Sequence, residues 1–354
     1  MKKSIRLLEP QDGSVTRPLQ RYYWPSDEER QNGERGPAET PLAPIAWDDL
    51  EITGEDRSLP EPVLFVWEMP KFRGGPLVFD LWVSQRLDFR EAHVLSDLRE
   101  PRAEVFHLHI ATRHFWKVVA RCGGEPVMES AVFSFNTHHA TPRWIAVPGI
   151  TNVRDMGGWP LPGGRRVRQG LIYRSSEMNS HVQIAEEGKR ILIEDLAIRT
   201  DLDLRGSTED AAPVLDPARV EWINIPVEPY SAIGDQEHQA GYRRVFQTFA
   251  DASKYPILFH CWGGADRAGT VAFLLSALLG KAREHLIHDY ELTSLSIWGL
   301  RTRQTPEFQA MLHALEPYDP AGNIGWQVHN YLRSIGVGLD HIRRIREQLI
   351  AEAG

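Results

Sequence analysis

The chain has 354 residues, enough for two domains of ordinary size and a sizeable core. Its net charge of −8 argues against nucleic acid as a partner, because a nucleic-acid footprint is basic. No stretch approaches the roughly 20 apolar residues of a bilayer span. The N-terminus, Met1-Lys2-Lys3-Ser4-Ile5-Arg6, is basic but lacks the apolar core of a signal peptide, so a cytoplasmic location is expected.

Residues 1–145 read as β structure. Leu77, Phe79, Leu81 and Val83 alternate with Val78, Asp80, Trp82 and Ser84, and Phe106, Leu108 and Ile110 alternate with His107 and His109. Phe115 to Ala120 and Ala131 to Phe135 continue the pattern. Short strands with turn signals such as Cys122-Gly123-Gly124 predict an all-β sandwich. Pro25 to Pro62, dense in Pro, Gly, Asp and Glu, predicts a long loop. His107, His109, His138 and His139 have no Cys or carboxylate at zinc-site spacing, and read as half-exposed strand histidines rather than metal ligands. The domain is expected to act as a spacer or as a surface for a partner.

Thr141 to Gly149 is punctuated by Pro and Gly and marks the boundary to a second domain over residues 146–354. Gly157-Gly158 permits close backbone approach; Arg154 and Asp155 beside it either brace a loop from behind or form an ion pair within a turn. Ile184 to Glu194 has helical spacing, Ala197 to Gly206 reads as a strand with Asp203 and Arg205 at its tip, and Val220 to Ile225 as another. Pro226 to Tyr230 is a loop and Tyr242 to Phe249 a helix. Helices are also expected around Arg283–Leu292, Pro306–Leu315, Ile324–Ile335 and Leu339–Ala351. Alternating strands and helices predict an α/β domain with a parallel sheet.

Ile257 to Phe259 is a short apolar run of the kind buried parallel strands use, and Thr270 to Leu279 is an apolar helix closed by Gly280. Between them, a tight glycine-containing loop runs from Cys261 to Arg267. Such a loop turns backbone N–H groups inward at the positive end of a helix and makes an anion nest. The field that holds phosphate also favours a thiolate at Cys261, and Arg267 can hold two phosphate oxygens bidentately. If Cys261 is the nucleophile, no structural disulfide is left in the chain.

His260-Cys261, five residues, then Arg267 resembles the signature loop of the protein tyrosine phosphatase superfamily. The fuller string His-Cys-x-x-Gly-x-Asp-Arg-x-Gly is similar to the bacterial branch that includes dual-specificity and phosphoinositide phosphatases. Asn152-Val153-Arg154-Asp155-Met156-Gly157-Gly158 and Asp203-Leu204-Arg205 match the same branch in order. The segment from Asp80 to Phe135 resembles a fibronectin type III or immunoglobulin-like module. The resemblance implies a cysteine-phosphatase fold and in-line attack by Cys261, followed by hydrolysis of a cysteinyl phosphate. It needs no cofactor and no metal. Phosphate would be held by Arg267 and the loop residues Trp262, Gly263, Gly264, Ala265 and Ala268, with Arg174 either touching substrate or structural. His260 would orient the loop through backbone contacts. Asp266 is the first choice as general acid by this resemblance, Asp203 and Asp201 the alternatives; Asp266 could instead pin the loop.

Two positions depart from the family pattern. Ala265 replaces a Lys that the branch associates with highly anionic substrates, and Ala268 replaces a Ser or Thr that helps the thiolate leave. A working first step and a slow second step are expected. The substrate is expected to be a phosphorylated protein or small phosphomonoester, phosphotyrosine first. An inositol phosphate or phosphoinositide is the alternative, and a phosphate-binding scaffold with weak turnover the reading of another class.

Overall fold

The computed structural model describes residues 4–20, 54–206 and 208–352, which form two compact units. Residues 4–20 and 60–141 make the first, residues 54–59 and 142–352 the second. Most of the expected 25–62 loop lies outside the described residues.

The first unit contains β1 (Leu7–Glu9), β2 (Ser14–Val15), β3 (Val63–Trp67), β4 (Val78–Ser84), β5 (His93–Leu98), β6 (Arg102–Val105), β7 (Arg113–Cys122), β8 (Glu125–Glu129) and β9 (Phe133–Asn136). One sheet has the order β1-β3-β6; the other has β2-β9-β7-β4-β5, with β8 paired on β7. Strands β4 and β7 are antiparallel with Leu81 opposite Val118 and Val83 opposite Trp116, so the period-2 apolar pattern falls on one face. That face shares a core with Phe65 and Trp67 of β3. Phe65 meets Trp116 edge-on, ring centroids 5.0 Å apart. The strand predicted at Phe106–Ile110 does not form. His107 and Ala111 adopt φ of 64° and 50°, left-handed conformations that interrupt a ladder, although Leu108 and Ile110 are buried as the alternation suggested. His107 and His109 are therefore not strand histidines.

The second unit contains β10 (Arg143–Trp144), β11 (Arg154–Asp155), β12 (Arg166–Val167), β13 (Ile172–Ser175), β14 (Thr200–Asp203), β15 (Glu221–Asn224), β16 (Ile257–His260) and β17 (Ile350–Ala351). Its helices are α1 (Glu186–Arg190), α2 (Gln236–Phe249), α3 (Arg267–Leu279), α4 (Arg283–Glu291), α5 (Pro306–Leu315), α6 (Ile324–Ser334) and α7 (Leu339–Leu349). The main sheet has the order β10-β11-β13-β16-β14-β15. Strands β13, β16, β14 and β15 are parallel, and β10 and β11 complete the edge in antiparallel pairing. Ile257, Leu258 and Phe259 are fully buried, because a central parallel strand has helices or loops on both faces.

Helix α3 is apolar all round because it is enclosed all round: every residue from Ala268 to Leu279 is buried, with α4, α6 and α7 packed against it. Gly280 ends it in the left-handed conformation at φ 94°. The helix begins at Arg267 rather than Thr270, which puts the arginine in its first turn. The helical pattern over 184–194 resolves into α1 followed by a wider π turn, Ile191–Asp195. Among the described residues no helix is long and apolar enough to cross a membrane.

Candidate active site

Strand β16 lies between β13 and β14, so the loop that follows it opens at the carboxyl ends of three parallel strands, where α/β sheets bind ligands. Cys261 is the first residue of that loop, a free thiol only 2% exposed. The loop is held from outside. The carbonyl of Trp262 accepts from the Glu177 N–H at 2.8 Å, that of Gly263 from Asn152 Nδ2 at 2.9 Å, and that of Gly264 from Arg174 Nη2. With these carbonyls drawn outward, the intervening N–H groups turn to the inner side, as an anion nest requires. Gly264 has φ 63°, and a Cβ there would lie 2.3 Å from the Ser175 carbonyl oxygen. No other residue type fits without displacing β13.

Arg267 opens α3 beside the nest. Its Nη1 and Nη2 bind the two carboxylate oxygens of Glu209 at 2.5 and 2.8 Å. Glu209 thus takes the end edge of the guanidinium, which leaves the Nε–Nη2 edge for two phosphate oxygens. Burial lowers the Arg267 pKa, but the Glu209 hydrogen bonds and the charges of Cys261 and Glu209 outweigh it and the net shift is upward. A cysteine, a glycine-shaped nest and a pre-aimed arginine are the parts of a site that attacks phosphorus.

Residues 145–351, more than half of the chain, match the Tyrosine phosphatase family. The chain belongs to the tyrosine phosphatase family. It is 29% identical over 234 residues to a Cupriavidus necator protein provisionally named a tyrosine-protein phosphatase, covering 53% of this chain and 82% of that one. It is 24% identical over 207 residues to the triple specificity protein phosphatase PtpB of Mycobacterium tuberculosis, covering 44% and 71%. Among solved structures, the core catalytic domain of the PP-IP phosphatase SIW14 from S. cerevisiae aligns at 17% identity and a TM-score of 0.29, covering 38% and 78%. The protein is a cysteine-based phosphoric monoester hydrolase.

The support behind the phosphatase loop is a buried charge cluster. Arg154 donates from Nε to Asp289 Oδ1 at 3.0 Å, from Nη2 to the Asp289 carbonyl at 2.8 Å, and from Nη1 to Asn152 Oδ1. Arg174 binds Asp289 Oδ2 at 3.2 Å with Nη1, while its Nη2 reaches the loop. Burial, then the like charge of Arg154, lowers the Arg174 pKa to about 9. Arg174, expected to touch substrate or to be structural, sits behind the loop at 1% exposure and bonds a loop carbonyl, so it braces. Arg154 braces too, through Asn152. Asp155 does not pair with Arg154: it binds Arg143 at 2.6 Å and accepts the N–H groups of Gly157 and Gly170, both at 2.7 Å. Burial is the main reason that its pKa is raised.

The polar residues of β14 and β16 also point into protein. Asp203 accepts from the Arg205 backbone N–H and from Nε and Nη2 of the same arginine, and Arg205 Nη1 donates to Glu177 at 2.8 Å. Arg205 and Asp203 are fully buried, and Asp201 is within 2.9 Å of His260 Nε2. Burial pulls the His260 pKa down, but the charges of Asp201 and Asp203 outweigh it and hold the imidazole toward its cationic form. His260 is thus anchored by its ring to the neighbouring strand, as well as by its carbonyl, which accepts the Leu204 N–H at 2.9 Å. Neither Asp201 nor Asp203 is placed to protonate a leaving group, since both are buried under the sheet end.

Asp266 stands immediately before α3 without a side-chain capping bond, and its carboxylate is met by three donors. Tyr230 Oη and Arg301 Nε both donate to Oδ1, and Arg301 Nη2 donates to Oδ2 at 3.1 Å. Burial raises the Asp266 pKa, but the bonds and charge of Arg301, then Tyr230 and Arg267, outweigh it and the net shift is downward. That holds the carboxyl ionised, and the donors it meets are the Tyr230 hydroxyl and the Arg301 guanidinium, not the backbone N–H groups by which it was expected to pin the loop. Thr270 points away from Cys261: its Oγ1 donates to the Asp266 carbonyl at 2.9 Å and accepts the Tyr230 N–H at 2.9 Å. Ala265 and Ala268 are buried. Trp262 is 40% exposed and packs against the His181 ring, centroids 4.4 Å apart, while the Trp298 ring covers Gly263.

Glu209, Asp289, Arg301, Tyr230 and Glu177 were not singled out from sequence. Glu209 lies four residues past Arg205 and could have been found from that proximity. The Arg154–Asp289 pair is separated by 135 residues, beyond any local spacing rule.

Proposed function

We propose that the phosphatase acts on aryl phosphomonoesters, phosphotyrosine foremost. Cys261 attacks phosphorus, Arg267 and the inward N–H groups of residues 262–266 hold the equatorial oxygens, and water then hydrolyses the cysteinyl phosphate. The observation that carries the substrate class is the rim beside the thiol: Trp262 is exposed at the position after Cys261, and His181 and Trp298 extend an aromatic edge. A flat apolar wall suits a phenyl ring better than a polyol. The name of the Mycobacterium tuberculosis relative, a triple specificity protein phosphatase, leaves protein phosphoesters within scope. Ala265, an uncharged side chain in the loop, disfavours a polyphosphorylated inositol.

For residues 1–145 the proposal is a sandwich of the fibronectin type III or immunoglobulin-like kind that docks a partner or spaces the catalytic domain of residues 146–354. Two sheets burying one shared core support that reading. Turnover of para-nitrophenyl phosphate by the wild type but not by Cys261→Ser tests the chemistry. A panel of phosphotyrosine peptides against inositol phosphates tests the substrate class; preference for the inositol phosphates would overturn it.

A further inference from the structure

The catalytic unit includes a piece of chain outside the family match: residues 54–59 belong to it, whereas the match covers 145–351. Within this segment Asp56 closes a tight turn, its Oδ1 accepting the Ser58 N–H at 2.9 Å and also the Ser58 hydroxyl. With its one proton given to Asp56, the hydroxyl presents lone pairs to the Asn152 N–H, which donates to Ser58 Oγ at 3.1 Å across 94 residues of sequence. The Arg57 N–H donates to the Leu295 carbonyl at 2.7 Å and ties the segment to the turn that follows α4. Ser58 is 1% exposed, so the contact is an interior one.

Asn152 carries that contact to the site. It is fully buried and holds φ 57°, a left-handed conformation that a non-glycine residue keeps where its surroundings fix it. Its side chain binds in two directions: Nδ2 donates to the Gly263 carbonyl at 2.9 Å, and Oδ1 accepts from Arg154 Nη1. Thr151 is held as well, its N–H donating to Ser176 Oγ at 3.0 Å and its hydroxyl accepting from Trp298 Nε1 at 2.8 Å. A buried N–H left without an acceptor is costly, so loss of the Ser58 hydroxyl would turn the Asn152 backbone toward another acceptor and draw its amide off Gly263.

We propose that Ser58 is a positioning residue of the phosphatase. It holds Asn152 in its left-handed conformation, and Asn152 in turn draws the Gly263 carbonyl outward, so that the neighbouring N–H groups of the loop face phosphate. The anion nest is then completed by a segment that precedes the sandwich in sequence. This rests on Cys261 and its loop binding phosphate as proposed above. Ser58 touches no substrate; its effect passes through one turn and one carbonyl.

The test is a double-mutant cycle in the full chain: wild type, Ser58→Ala, Asn152→Ala and the pair, each assayed at a temperature where its urea curve shows it folded. For all four, kcat/KM on para-nitrophenyl phosphate and the inhibition constant of inorganic phosphate are measured. Ser58→Ala is expected to lower kcat/KM roughly tenfold, the size of one unsatisfied buried hydrogen-bonding group, and to weaken phosphate by a similar factor. In the Asn152→Ala background the same change should have no further effect. A role in stability alone would move the urea midpoint and leave both constants untouched; that result, or losses that multiply in the pair, would overturn the proposal. Asp56→Ala keeps the Ser58 hydroxyl but leaves it unanchored, and should reproduce the pattern at smaller size, so it carries the test if Ser58→Ala does not fold. Turnover abolished by Cys261→Ser but untouched by Ser58→Ala sinks this inference alone. Turnover that survives Cys261→Ser sinks the cysteine reading and this one together.

Discussion

Asp289→Asn probes the support of the catalytic loop. The substitution keeps side-chain shape but removes the one carboxylate that faces both Arg154 and Arg174, at 3.0 and 3.2 Å. Burial raises the Asp289 pKa, yet Arg154, Lys281 and Arg174 outweigh it and the net shift is strongly downward, so the group is ionised in the fold. Without it two buried guanidinium groups face each other, with the buried Lys281 amine nearby, its pKa lowered to about 7 by burial. Breaking a buried ion pair by removing one partner destabilises by about 3–5 kcal/mol. A domain has only about 5–15 kcal/mol in total, so the variant should fold with little margin. Arg174 would also lose its hold on the Gly264 carbonyl, so activity should fall before the fold is lost. Urea unfolding followed together with aryl phosphate hydrolysis reads both effects, and Asp289→Asn combined with Arg174→Met should recover part of the stability but not the activity. An unchanged urea midpoint in Asp289→Asn would refute the argument, because it would mean that the cluster is not electrostatically coupled.

Three further outcomes are expected. Gly264→Ala forces a Cβ to 2.3 Å from the Ser175 carbonyl at positive φ, and should lose most activity with circular dichroism little changed; wild-type activity would contradict the fit. Glu209→Gln removes a charge-assisted tie worth about 1.5–3 kcal/mol, so kcat/KM should fall at least about tenfold, chiefly through KM. The Arg267 hydrogen bonds lower the Glu209 pKa, so the tie persists above the unfolded-state value and is lost as pH falls through the folded one; the substitution should therefore remove an acid limb from the KM profile. Ala268→Ser introduces a hydroxyl at the position after Arg267 and should raise the steady-state rate while shrinking the pre-steady-state burst; a wild-type time course without a burst would count against a slow second step.

The proposed nucleophile and its arginine could be picked out because loop, cysteine and helix start are neighbours in the chain, from Cys261 to Arg267. The parallel strands were legible for a related reason: Ile257 to Phe259 is apolar at every position, as burial on both faces demands. The roles of the charged residues were not, since a side chain at a strand tip can point at ligand or into protein with no change in pattern. Arg174 and Asp203 look like site residues in sequence and are internal in the fold. For Arg174 the deciding partner, Asp289, comes from a segment after α3, whereas Asp203 is held by Arg205, two residues further along the chain. In the first unit, the alternation at Phe106 to Ile110 reported the burial of Leu108 and Ile110 but neither the exposure of Phe106 nor the backbone, which turns left-handed at His107 and Ala111. Strand β3, Val63-Leu64-Phe65-Val66-Trp67, was obscured by Pro60 and Pro62 just before it.

The account stands on a covalent bond between phosphorus and one sulfur. Mixing the enzyme with an aryl phosphate, quenching in acid within milliseconds and mapping the peptides by mass should find a single added phosphoryl group on the Cys261 peptide. Its amount should rise and then decay as phenol is released. Full turnover with no phosphorylated Cys261 at any quench time would contradict the account.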